Sequence, residues 1–289
     1  MMRLVELGAD KIPAVAIGTW SWGTGLNGGN RIFGNSYGFE ELLPVFKYGV
    51  QKGLTLWDTA AVYGMGASEA ILGACIKQYS DIIISTKFTP FGIQRKNAMI
   101  KSFGKSTKRL NLKSINIYWI HNASNVNKWT RQAVDLYKTG KVRHIGVSNH
   151  NLAQIRETSD ILEWCKGNDT RFFAYMVLEQ GALTGKYSAI NPFKPGTKRA
   201  KAFPVETLHK LAPLNDCMET IAEKHCAEAS QVAIAWAIGK GTIPLVGATK
   251  IPQIESISKA DKIILDKSET ERIEQAALKT GVIAKASWE

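Results

Sequence analysis

Short β-branched runs alternate with longer amphipathic stretches along almost the whole chain. That order restricts it to a parallel sheet with helices packed outside. Residues 15–20, 54–59, 82–88, 115–121, 142–148, 171–177 and 243–247 read as strands. Residues 39–51, 68–79, 97–110, 129–138, 152–165, 207–225, 230–238 and 268–279 carry helical spacing, and residues 4–12 suit a small hairpin. No repeat or linker divides the chain, so residues 1–289 are expected to form one α/β domain.

Composition removes several classes. The longest apolar run, 232–238, is far too short to cross a membrane, and residues 1–6 hold no apolar signal core, so a cytoplasmic protein is expected. Four cysteines, at 75, 165, 217 and 226, form no CxxC pair, and with five scattered histidines no zinc spacing arises. They read as buried thiols in a reducing compartment, with no metal site. The net charge of +12 raises nucleic-acid binding. Lys101, Lys105 and Lys108 share one helix face, however, and 194–201 is a loop cluster. Without a nucleic-acid motif these read as solvated surface. A basic balance also suits a polyanionic cofactor such as a dinucleotide.

The polar residues fall in a telling place. Asp58 lies near the end of the second strand with Tyr63 just past it, Lys87 near the end of the third, and His121 at the end of the fourth. Ser148 and Asn149 close the fifth. In a parallel barrel those C-terminal ends meet at one rim, where barrel active sites lie. Each residue alone has an ordinary reading: Asp58 as a cap, Tyr63 as a turn aromatic, Lys87 snorkelling to solvent, His121 leading into a cap. Four at one rim argue for a site. A free phenol titrates near 10, too high for efficient proton donation at neutrality. An adjacent ammonium would lower it, a carboxylate would hold that ammonium, and an imidazole could steady a substrate oxygen.

Gly23-Thr24-Gly25-Leu26-Asn27-Gly28 spells a dinucleotide fingerprint. The residues after it do not open a helix, so a pyrophosphate would find no helix N-terminus. A flexible substrate-side loop is expected instead. Trp22, Phe33 and Tyr37 are either pocket walls or packing aromatics.

Six stretches in one order resemble the aldo-keto reductase family: Ile17-Gly18-Thr19-Trp20, residues 57–64, Ser85-Thr86-Lys87, Ile117-Tyr118-Trp119-Ile120-His121, residues 145–149, and residues 181–187. The resemblance implies a (β/α)8 TIM barrel and NADPH-dependent reduction of a small-molecule aldehyde or ketone, with NADH as the alternative cofactor. It implies neither a nucleic-acid nor a membrane partner and leaves oligomeric state open. By position Asp58, Tyr63, Lys87 and His121 would be the catalytic tetrad. Ser148 and Asn149 would bind the carboxamide, Tyr175 would stack on the nicotinamide, and Leu178 would line the pyrophosphate path. Gly247, Lys250 and Gln253 would lie at the adenosine end. Trp20, and with it Trp22, would wall the substrate pocket.

The chain departs from that pattern twice. Seven barrel strands are found rather than eight. Only 25 residues separate Asn149 from Tyr175, so one β/α unit around strand 6 is missing. That strand normally carries a glutamine that contacts the carboxamide. Its loss favours a second reading, a cofactor-binding barrel with little or no turnover. After the last strand, Gln253 stands where an arginine for the 2′-phosphate is expected and Ile257 where an asparagine is expected. Lys250 offers only a point charge there.

Overall fold

The computed structural model describes residues 2–149, 167 and 169–282. An antiparallel hairpin, β1 (Leu4–Leu7) with β2 (Asp10–Pro13), precedes a parallel sheet. That sheet contains β3 (Ala16–Gly18), β4 (Leu56–Asp58), β5 (Ile83–Phe88), β6 (Ile115–Ile120), β7 (Val142–Val147), β8 (Phe173–Ala174) and β9 (Ile243–Gly247). The helices are α1 (Gly29–Ile32), α2 (Phe39–Gln51), α3 (Ala67–Cys75), α4 (Ala98–Leu110), α5 (Val126–Lys138), α6 (Lys198–Ala202), α7 (Val205–Lys224), α8 (Ala229–Gly239), α9 (Ile251–Ala260) and α10 (Lys267–Lys279). The helix expected over 152–165 lies outside the described residues, as does Cys165.

The two-residue period of a strand sorts side chains between two layers. Leu56, Ile117 and Ile243 form the interior cluster, with Ile83, Trp119, Phe173 and Leu245 packed on it. Trp57, Ile84, Phe88, Tyr118, Ile120 and Val246 face the helices, in one cluster with Leu42, Val45 and Phe46 of α2, Phe103 of α4 and Trp129 of α5. Those α2 positions repeat at helical spacing, which is why the segment forms one amphipathic helix.

Strand order is β7-β6-β5-β4-β3-β9-β8, every neighbouring pair parallel. This curled seven-stranded sheet is a TIM-type barrel whose two edges, β7 and β8, are consecutive among the described strands. They flank the place expected for the sixth strand. An intact-mass measurement checks the shortening: 31.8 kDa is expected, whereas one further unit of roughly 30 residues would add about 3 kDa.

Several expectations are corrected. Residues 29–32 do make a single helical turn, α1. The glycine loop before it is packed rather than free: Gly25 N–H donates to Asn30 Oδ1 (3.0 Å), and a Cβ on Gly25 would come within 3.1 Å of the Gly64 carbonyl oxygen. The glycines there serve close approach to the Tyr63 turn. Helix α9 was hidden because Pro252 and polar residues open it. Among the described cysteines only Cys75 is buried, and Cys226 is exposed. Lys101, Lys105 and Lys108 are exposed along α4, as a solvated face requires.

Candidate active site

Strand register brings the polar residues together. Asp58 pairs with Gly18 on one side and Ser85 on the other, and Lys87 pairs with Trp119. His121 N–H continues the ladder onto the Phe88 carbonyl (2.9 Å), and Ser148 N–H onto that of Ile120 (2.9 Å). Asp58 and Lys87 are almost sealed, at 3% and 5% exposure. Their charges pair directly, and Lys87 Nζ also donates to the Thr59 carbonyl (2.8 Å). Ser85 Oγ donates to the other oxygen of Asp58 (2.6 Å), so both carboxylate oxygens are engaged.

Tyr63 opens a short turn, with Gly64, Met65 and Gly66 all at positive φ. Its ring centroid lies 5.1 Å from Lys87 Nζ, 5.9 Å from the imidazole of His121 and 5.8 Å from Trp20, which stacks on it. Behind the turn the Arg109 side chain runs past Gly66, where a Cβ would fall 2.7 Å from it. Arg109 is held by the fully buried Glu69 (Nε to Oε2, 2.7 Å), and Glu69 Oε1 accepts from Thr86 (2.7 Å). This buried acid, which sequence spacing did not single out, ties the tyrosine turn to the lysine strand.

Charge states follow from burial. Burial raises the Tyr63 phenol above its ordinary value. The Lys87 ammonium works in the opposite direction, as expected, but does not overcome it. Burial also disfavours the Lys87 ammonium, yet the Asp58 carboxylate beside it leaves that group above its usual range. Burial, then the Lys87 charge, pushes His121 down to about 3, so the imidazole is neutral throughout the working range. Its Nδ1 lies 2.8 Å from Thr89 Oγ1. With Thr89 donating to Nδ1, Nε2 carries the proton and can donate.

Asn149 Nδ2 donates to the His121 carbonyl (2.8 Å), and the Tyr175 hydroxyl donates to Asn149 Oδ1 (2.8 Å). Ser148, Asn149 and Tyr175 therefore stand together beside His121, with Tyr175 42% exposed. An aromatic face flanked by amide and hydroxyl groups suits a flat carboxamide-bearing ring. Leu178 is half-buried in the loop that follows. Gly247 ends β9, and Lys250 and Gln253 lie at the start of α9. Gln253 Oε1 accepts from the N–H groups of Thr249 (2.8 Å) and Lys250 (3.0 Å), so it caps the helix. Trp22 does not wall a pocket. Fully buried, it packs on Trp57 (5.4 Å) and donates to the Ala248 carbonyl (2.8 Å), because two residues beyond Trp20 the chain has turned under the helix layer.

Beside Leu178, Glu179 sits at positive φ with Oε2 buried and unpartnered among the described residues. Burial raises its carboxyl to about 7 from 4.5. The unfolded chain releases that proton first as pH rises, so the residue lowers stability progressively from pH 4.5 to 7 and fully above. Glu179→Gln should therefore stabilise the protein by about 1–3 kcal/mol at pH 8, a gain that shrinks toward pH 4.5. Urea unfolding at the two pH values measures it; an equal effect at both would contradict the assignment.

Comparison with known proteins gives a consistent picture. The profile described as Aldo/keto reductase family matches residues 14–159 and 151–278. The two pieces overlap at 151–159, inside the shortened stretch. An uncharacterized oxidoreductase of Mycobacterium bovis is 29% identical, over 88% of this chain and 86% of that protein. Aldo-keto reductase yakc [NADP(+)] of Schizosaccharomyces pombe is 25% identical, over 96% and 92%. The structure is similar to glycerol dehydrogenase from Gluconobacter oxydans (TM-score 0.82, 22% identity, 96% and 95% covered). It is also similar to an aldo-keto reductase from Klebsiella pneumoniae in complex with NADPH (TM-score 0.73, 20% identity, 95% of each chain).

Proposed function

The chain belongs to the aldo/keto reductase family and is an NAD(P)H-dependent oxidoreductase; from that premise we propose that it reduces aldehydes or ketones to alcohols, with Tyr63 as proton donor. The observation that carries this reading is the sealed Asp58–Lys87 pair beneath the Tyr63 ring. A reduced nicotinamide, when bound, supplies the hydride. Tyr175 would offer its face to that ring, Ser148 and Asn149 would hold the carboxamide, and Leu178 would line the path of the pyrophosphate. Gly247, Lys250 and Gln253 would meet the adenosine end, where Lys250 supplies the charge that favours a 2′-phosphate.

The remaining chemistry belongs to the chain. The neutral His121 donates to the substrate oxygen and orients the carbonyl over Tyr63. Tyr63 gives its proton to that oxygen as negative charge develops. Lys87 stabilises the phenolate left behind, and Asp58 keeps Lys87 charged and in place. Trp20, stacked on Tyr63, walls the pocket.

A second reading, a barrel that binds the cofactor with little turnover, is favoured by one observation. No described strand lies between β7 and β8, where the family's carboxamide glutamine would stand. Loss of NADPH absorbance with a panel of aldehydes decides between them. Turnover is expected, with kcat/KM for NADPH above that for NADH. Tight cofactor binding without turnover would favour the second reading, and a tenfold preference for NADH would overturn the choice of cofactor.

A further inference from the structure

We propose that Trp119 stands in, from inside the barrel, for part of the missing β/α unit, and that through Ser85 it positions the carboxylate of Asp58. The filling half is independent of function; the positioning half rests on the reading of Asp58 and Lys87 given above.

Trp119 projects inward from β6, in register with Lys87 on one side and Gly146 of β7 on the other. Its indole lies over Gly146 so closely that a Cβ there would fall 2.1 Å from the ring. On the other side it meets Phe173 of β8 edge-on, with centroids 5.1 Å apart. β7 and β8 are the two edges of the open sheet. A single side chain thus touches both edges across the interior, where a closed barrel would have strand-to-strand packing. The glycine on β7 is what lets so large a ring lie across that strand.

The indole nitrogen is donor only. It donates to Ser85 Oγ at 2.7 Å, so the serine must accept there and turn its own proton elsewhere. That proton goes to Asp58 Oδ1 at 2.6 Å. The indole therefore fixes the serine hydroxyl, the serine fixes one carboxylate oxygen, and the other oxygen holds Lys87 beneath Tyr63. A leucine in place of Trp119 would supply neither the reach to Phe173 nor the hydrogen bond.

Three variants separate the two halves. Trp119→Phe keeps a ring and loses the N–H; Ser85→Ala breaks the link; Trp119→Ala empties the space. Trp119→Phe and Ser85→Ala are expected to lower kcat on the order of tenfold each, with KM for NADPH within about twofold, and the double variant to be no worse than either alone. Trp119→Ala should lower Tm by about 10 °C. Independently of turnover, the 13C carboxyl resonance of Asp58, identified by its loss in Asp58→Asn, should move in both Trp119→Phe and Ser85→Ala. Wild-type kcat with an unmoved Asp58 resonance in those two variants overturns the positioning role. A Tm for Trp119→Ala within about 2 °C of the parent overturns the filling role. An unaltered protein without turnover overturns the proposed function alone, and the resonance still decides this inference.

Discussion

Tyr63→Phe is expected to cut carbonyl reduction by on the order of 10²–10⁴-fold, the usual worth of a positioned general acid, while leaving NADPH affinity nearly unchanged. The change removes one oxygen from a ring that is held otherwise by shape. Trp20 stacks on it at 5.8 Å, His121 meets it at 5.9 Å, and Lys87 lies 5.1 Å from its centroid. A phenyl ring satisfies all three contacts, so the turn and the cofactor's surroundings should persist. The raised phenol also bears on direction. A buried neutral phenol retains its proton through the working range and is ready to donate, as reduction requires. NADPH absorbance with an aldehyde reads the first effect, and a fluorescence titration of NADPH reads the second. Cofactor affinity lost together with turnover would remove Tyr63 from the role of acid and make it a structural residue of the binding site.

The convergence of Asp58, Lys87 and His121 was legible for a geometric reason. Strand ends in a parallel barrel converge whatever their separation in sequence, so Asp58, Lys87 and His121 needed only to terminate apolar runs. The two-residue period then places Asp58, Ser85, Lys87 and Trp119 on the interior side. The shortening was legible too, because 25 residues hold one helix but not the helix, strand and helix that a full barrel places there. What escaped depends on contacts between elements. Glu69 looks like any acid on a helix until Arg109 and Thr86, from two other elements, close around it. Trp22 and Trp20 are two residues apart and chemically equal, and only the turn after β3 sends one under α2 and the other to the rim. The capping role of Gln253, which accepts from the Thr249 and Lys250 N–H groups at the start of its own helix, is local and also escaped. Residues 171–177 have strand composition, but only Phe173 and Ala174 pair, because β8 has a neighbour on one side alone.

Stability and activity are expected to part at the Asp58–Lys87 pair. Asp58→Ala leaves a buried ammonium with the Thr59 carbonyl and the Tyr63 hydroxyl as partners but no countercharge. Removing one member of a buried pair costs about 3–5 kcal/mol, chiefly because the remaining charge is desolvated and unopposed. That is a large share of the roughly 5–15 kcal/mol that holds a domain together. Lys87→Met alone strands the carboxylate instead, though the Ser85 hydroxyl still serves one of its oxygens, so its loss should be smaller. Combining Asp58→Ala with Lys87→Met removes both charges, and the thioether fills part of the space. The double variant should then recover to within about 1–2 kcal/mol of the parent. Catalysis cannot recover with it, because neither the stabilising ammonium nor its brace is present, and reduction should remain near the Tyr63→Phe level in all three variants. Urea unfolding of the two single variants and the double variant measures the coupling. If Asp58→Ala alone proves as stable as the double variant, the two charges do not depend on each other. Lys87 would then lack the neighbour that keeps it protonated beneath the phenol, and Tyr63 would lack the cation its proton transfer requires.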